Sequence, residues 1–133
     1  MNLITIGVIR SPYPTREEAP KSGYESVDEC VIEVCEEFLP ALEGVEEFDR
    51  LVVLYWLHQA RRETLRVYPR GQSELKGVFA SRSPDRPNPI GLSVVRLIEK
   101  ERNKLRVVGL DALDGTPLLD IKPALPEETG LDR

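Results

Sequence analysis

The sequence predicts one all-β (mainly β) domain, an antiparallel barrel or sandwich with long loops and little helix. Three observations carry that prediction. About seven short segments are rich in β-branched and apolar residues, turn signals separate them, and no stretch sustains a convincing helical period. A length of 133 residues suits a single core, so one domain over residues 1–133 is expected.

Leu3–Arg10 (LITIGVIR) is the first strand, stopped at Ser11-Pro12-Tyr13-Pro14 by two residues that lack a backbone donor. Thr15–Tyr24 is polar, holds Pro20 and Gly23, and reads as a long loop. Glu29–Cys35 (ECVIEVC) returns to a strand pattern. Glu36–Asp49 carries conflicting signals, a helical turn over Phe38–Leu42 broken by Pro40 and Gly44. Leu51–Leu57 (LVVLYWL) is a continuous apolar run, the profile of a strand buried on both faces. Arg61–Ser73 is a second long loop, and Gly77–Ala80 starts a short strand that runs into prolines. Ile90–Lys100 and Lys104–Leu110 are two more strands, joined by a tight hairpin at Glu101-Arg102-Asn103. Asp114-Gly115-Thr116-Pro117 is a turn, and Leu118–Ile121 is the last strand. Loops of 10 to 13 residues are long for a domain of this size, and such loops tend to carry function.

Composition narrows the class. Apolar residues at 41% and charged residues at 31% describe an ordinary globular chain rather than a disordered one. Met1–Arg10 is too short for a signal peptide, and no apolar run approaches the roughly 20 residues that span a bilayer, so a cytoplasmic, soluble protein without membrane contact is expected. Cys30 and Cys35 stand five apart and point to opposite faces of a strand, poorly placed to bridge; both read as small apolar fillers. One His and no clustered Cys leave no zinc-like constellation, and no metal is expected. A net charge of −5 argues against indiscriminate polyanion binding. The charge is uneven, however. Gln59–Ile90 holds seven Lys or Arg against three Asp or Glu, a local +4, which leaves −9 on the remainder. An acidic body with one basic region suits a selective polyanion contact, and equally a charged loop that is merely solvated.

The most informative segment is Gly77–Ser93, GVFASRSPDRPNPIGLS. Pro84, Pro87 and Pro89 fix their own φ and push Ser83, Arg86 and Asn88 toward extended backbone. The result is a stiff support for Arg82, Asp85, Arg86 and Asn88, and preorganised donors bind a ligand with little loss of entropy. The competing reading is an Arg–Asp pair that only fixes the loop. His58 and Gln59 follow the buried Leu51–Leu57 run, where side chains often face a site, although a lone His more often has a structural role. Asp111–Pro117 (DALDGTP) offers a carboxylate, turn amides and a hydroxyl, fit for a zwitterion or a ribose, or simply for a turn. No GxGxxG, GxSxG or P-loop is found.

Gly77-Val78-Phe79-Ala80-Ser81-Arg82-Ser83 followed by Arg86-Pro87-Asn88-Pro89-Ile90-Gly91 resembles the signature of the TsaA-like, or TrmO, family of tRNA methyltransferases. Further blocks match in order: Ile6–Tyr13, Phe48 with Leu54–Gln59, Asp114-Gly115-Thr116-Pro117, and Asp120-Ile121-Lys122-Pro123. The resemblance implies an antiparallel β-barrel and a homodimer with S-adenosyl-L-methionine bound near the subunit interface. It implies methyl transfer to N6 of threonylcarbamoyl-adenosine, the modified base beside the anticodon of threonine tRNA. By position, the cofactor contacts are Pro20, Lys21 and Ser22, then His58, Gln59, Arg82, Leu92, and the turn Leu113, Asp114, Gly115 and Thr116. The additional C-terminal domain of longer bacterial relatives is not expected in this chain.

Methyl transfer from a sulfonium is an in-line displacement that requires positioning rather than a metal. Reading a splayed anticodon base calls for stacking surfaces and cations, which Tyr68 with Arg61, Arg62, Arg66 and Arg70 would supply. The acceptor of the N6 proton stays open between His58, the substrate's own carboxylate and water. Two other readings stand beside this one, a module that binds the cofactor without catalysis and a methyltransferase with a different acceptor.

Overall fold

The structure, a computed structural model, describes residues 1–20 and 27–129. Among the described residues eight strands are formed: β1 Gly7–Arg10, β2 Glu29–Val34, β3 Arg50–Trp56, β4 Arg66–Val67, β5 Lys76–Gly77, β6 Ile90–Glu101, β7 Lys104–Val108 and β8 Thr116–Pro123. Six of them close a barrel in the order β1-β2-β7-β6-β3-β8, every pairing antiparallel, while β4 and β5 make a separate two-stranded ribbon. Closure leaves these six strands without a free edge. Of barrel and sandwich, the chain forms the barrel.

Alternation decides which side chains enter the core. Cys30, Ile32 and Val34 of β2 and Leu105 and Val107 of β7 point inward, whereas Arg106 between them is exposed. Ile9, Leu51, Val53, Val95, Leu110 and Leu118 add the other fully buried aliphatic side chains. In β3, Val52 is buried as well, so the central part of the run is covered on both faces as its composition predicts. Two register shifts accompany the closure, leaving Leu119 of β8 and Ile98 of β6 as extra residues. The β6–β7 hairpin turns at Arg102-Asn103, with Arg102 at φ 55°, and Asn103 clasps β2 through Val34.

Several expectations are corrected. The first strand starts at Gly7, not Leu3, because its partner β2 ends at Val34 and the chain there turns away; Leu3 and Ile4 are exposed. Pro40 does not break the helical turn, which forms as a 3-10 helix over Glu36–Leu42 with Pro40 inside it. The Arg61–Ser73 loop contains β4. Only Gly77 of Gly77–Ala80 is extended; Val78–Ala80 is a 3-10 turn, because Arg86 Nη2 donates to the Val78 and Ser81 carbonyls. Cys30 is buried as expected, but Cys35 lies past the end of β2 and is exposed, so it fills no core. The last strand extends through Pro123, which sits at the strand end opposite Leu51.

Candidate functional site

A cavity of about 1250 Å³ opens at one end of the barrel. Its walls are the end of β3, the start of β6, the proline-rich segment, the stretch after β4 and the chain between β7 and β8. The volume exceeds the roughly 300–1,000 Å³ of common small-molecule sites, enough for a cofactor with a second group beside it.

Three loops are tied together around its mouth by Asp85. Its Oδ1 accepts from the Arg61 amide at 2.9 Å and pairs with Arg16 at 3.4 Å, and the Arg86 amide returns a bond to the Arg61 carbonyl at 3.0 Å. Arg62 stacks on Trp56, 5.1 Å from the ring centre, and its Nε donates to the Pro87 carbonyl at 2.8 Å. Asp85 and Arg86 therefore do fix loops, but not as the expected pair within the segment, since Asp85 pairs with Arg16 and Arg86 donates to the Val78 and Ser81 carbonyls. Arg82 is different. It lines the cavity and makes no hydrogen bond or ion pair with any described residue. One buried side-chain donor among the described residues, Arg86 Nε, also lacks a partner, and Arg86 lines the cavity too.

Of the residues expected at the cofactor, Pro20, His58, Gln59, Arg82, Leu92, Leu113 and Thr116 line this one cavity. Asp114 and Gly115 do not. Their turn is fastened to the β1 side instead, with the Ser11 amide on Asp114 Oδ1 and the Gly115 amide on the Ile9 carbonyl. The Thr116 hydroxyl is spent on the Leu113 carbonyl at 2.6 Å. Lys21 and Ser22 lie outside the described residues. Of the residues expected at RNA, Tyr68 and Arg70 line the cavity, whereas Arg61, Arg62 and Arg66 are exposed outside it.

Sequence reasoning missed the polar cluster in the cavity wall. Tyr55 of β3 donates to Asp111 Oδ1 at 2.7 Å and lies 2.7 Å from Ser93 Oγ of β6. Tyrosine has one proton to give, so Ser93 donates to the Tyr55 oxygen. Burial holds the Asp111 carboxyl above the usual carboxylate range, against the opposing pull of the Tyr55 bond and the Arg82 charge. Burial, then the Asp111 charge, pushes the Tyr55 phenol up, so it stays protonated at neutral pH and keeps donating. Two glycines make the cluster fit. A Cβ at Gly91 would stand 2.3 Å from the Tyr55 ring, and Gly109, at φ 113°, bends the chain out of β7 toward Asp111. A tyrosine in a run of aliphatic residues, with a buried hydroxyl that needs a partner, was the available signal.

The chain can be set beside known proteins. Residues 8–128 match the family described as the tRNA-methyltransferase O N-terminal domain. An S-adenosyl-L-methionine-binding protein of Archaeoglobus fulgidus is 48% identical over 127 residues, covering 96% of this chain and 91% of that protein. A tRNA (adenine(37)-N6)-methyltransferase of Escherichia coli is 39% identical over 132 residues, covering 91% of this chain but 56% of that enzyme. The crystal structure of TrmO from Pseudomonas aeruginosa superposes with a TM-score of 0.80 at 35% identity, covering 98% of this chain and 59% of that one. This chain thus spans a little over half of the two bacterial proteins and nearly all of the archaeal one. A family match over most of the chain, agreeing with the barrel and with its signature, makes this chain a member of the tRNA-methyltransferase O (TrmO) family.

Proposed function

We propose that the chain binds S-adenosyl-L-methionine in the cavity and methylates N6 of threonylcarbamoyl-adenosine beside the anticodon of threonine tRNA, as a cytoplasmic homodimer. The observation that carries this is the meeting of two sets of residues in one cavity, Arg82, His58 and Gln59 with Tyr68 and Arg70. The cofactor brings a methyl group on a cationic sulfur, together with an amino-acid end and an adenine. Arg82, with no hydrogen-bonded or ion-paired partner among the described residues, suits a carboxylate, and Leu92 and Leu113 offer apolar surface for a base. Lys21, Ser22, Asp114 and Gly115 belong to the same proposal through the family pattern alone. Tyr68 is exposed and offers a stacking face for an unpaired nucleobase, with Arg70 and Arg66 for phosphates. The names of the archaeal relatives favour a second reading, cofactor binding without transfer.

Labelled S-adenosyl-L-methionine incubated with threonine tRNA, with and without the threonylcarbamoyl group, separates them. Label on the modified tRNA alone is the expected result; cofactor binding with no label on either selects the second reading. Arg82→Ala is expected to weaken cofactor binding at least about tenfold, the loss of one charge-assisted contact, with the thermal transition unchanged.

A further inference from the structure

We infer that Asp111, held by Tyr55 and Ser93, takes the proton released from the acceptor nitrogen as that nitrogen is methylated, an inference that rests on the tRNA-methyltransferase reading above. The reaction demands such a group. The nitrogen gains a bond to carbon, the carbon–sulfur bond breaks with its electron pair left on sulfur, and the N–H proton must leave while its pair stays on nitrogen. The sulfonium becomes a neutral thioether and the accepting carboxylate a neutral acid, so charge balances.

Among the described residues that line the cavity, Asp111 is the one carboxylate. Arg16, Arg70, Arg82 and Arg86 share the wall and cannot accept a proton. His58, the other base, is exposed beyond the end of β3, whereas Asp111 is partly buried with Oδ1 fixed by the Tyr55 hydroxyl at 2.7 Å. Tyr55 is itself fixed, 2% exposed with its ring against Gly91. The groups facing Asp111 are Tyr55 of β3, Ser93 of β6, Cys30 of β2 and Arg82 of the proline-rich segment, with Asp28 also beside Cys30. Burial raises the proton affinity of Asp111, which makes it a better base than an exposed carboxylate, while the Tyr55 bond and the Arg82 charge pull toward the ionised form. The carboxylate form is the active one, so activity falls as pH drops through its raised pKa.

Wild type, Asp111→Asn and Tyr55→Phe are compared by cofactor titration, single-turnover methyl transfer to modified threonine tRNA, and the pH profile of that rate. Asp111→Asn is expected to keep the cofactor Kd within about threefold while the rate falls about 10²- to 10⁴-fold and the acid limb disappears. Tyr55→Phe removes a bond that favours the carboxylate, so its acid limb moves to higher pH with the Kd unchanged. An Asp111→Asn rate within about threefold of wild type overturns the inference. A cofactor Kd that weakens in step with the rate also overturns it, making Asp111 an anchor for the cofactor's cationic groups. Wild type that binds cofactor but methylates no tRNA removes the premise and the inference together, a result seen before any variant is made.

Discussion

The contact between Tyr55 and Gly91 links the barrel to its chemistry. These residues are opposite each other in the β3–β6 register, and the ring occupies the space a side chain at 91 would need. A methyl group there would stand 2.3 Å from Cε2 and 2.7 Å from Cδ2 of a ring that is buried and bonded through its hydroxyl. Relieving that overlap displaces a ring whose hydroxyl is bonded to Asp111. Gly91→Ala is therefore expected to cost about 1–3 kcal/mol of stability, the usual range for overpacking a filled site. The loss is readable as a lower midpoint in urea, and methyl transfer is expected to fall further than that stability loss explains. An unchanged urea midpoint would show that the ring is freer than its contacts indicate. At the same scale, burial pushes the Cys30 thiol up to about 11, with the Asp28 and Asp111 charges adding to it, while Cys35 is exposed. A thiol reagent at mildly alkaline pH is expected to titrate one cysteine in the native chain and two after unfolding.

The loop elements divide the arginines into two kinds. Arg62 is committed to the scaffold through Trp56, Pro87 and Asn88, whereas Arg66 on β4 is exposed outside the cavity and Arg70 lines the cavity next to Tyr68. Arg62→Ala is expected to lower stability by about 1–2 kcal/mol in urea, the sum of an exposed cation–π contact and a charged hydrogen bond. Arg66→Glu, outside the cavity, is expected to weaken tRNA binding severalfold and to make its salt dependence shallower by about one in slope, with cofactor affinity retained. Unaltered tRNA affinity would move the RNA-binding surface elsewhere. This division was not legible in the sequence, where all five residues read alike as a basic, aromatic stretch. The barrel strands were legible, because alternation in β2 and β7 and the apolar run of β3 are local properties. The Val78–Ala80 turn was not, since it depends on Arg86 reaching back to Val78 and Ser81. Nor was the Tyr55–Asp111 bond, which spans 56 residues and exists only once the strands are in register. Arg82, His58 and Gln59 were found from their neighbours in the chain, and the structure brings them to one cavity.

In the whole molecule, half of the exposed large apolar side chains among the described residues fall in or beside the region that is least acidic. Leu65, Tyr68, Leu75, Phe79, Ile90 and Leu92 are all large and exposed, and all fall within or just beyond the stretch that carries a local +4. Leu65 and Tyr68 flank β4, Leu75 and Phe79 flank β5, and Ile90 and Leu92 line the cavity. Two copies of a body carrying −9 repel wherever their acidic faces meet, so the surface of the proposed homodimer is expected on this region. A two-fold contact brings the same patch from both copies together, which would bury Phe79, 87% exposed in the single chain, beside the cavity. Sedimentation equilibrium is expected to give twice the chain mass for wild type. Phe79→Glu is expected to give the chain mass, because it places two carboxylates across the axis of an apolar contact. Because Ile90 and Leu92 wall the cavity, the monomeric variant is also expected to bind the cofactor more weakly, by an amount that shrinks as protein concentration rises. A Phe79→Glu protein that remains dimeric would place the two-fold axis on another face, away from the cavity.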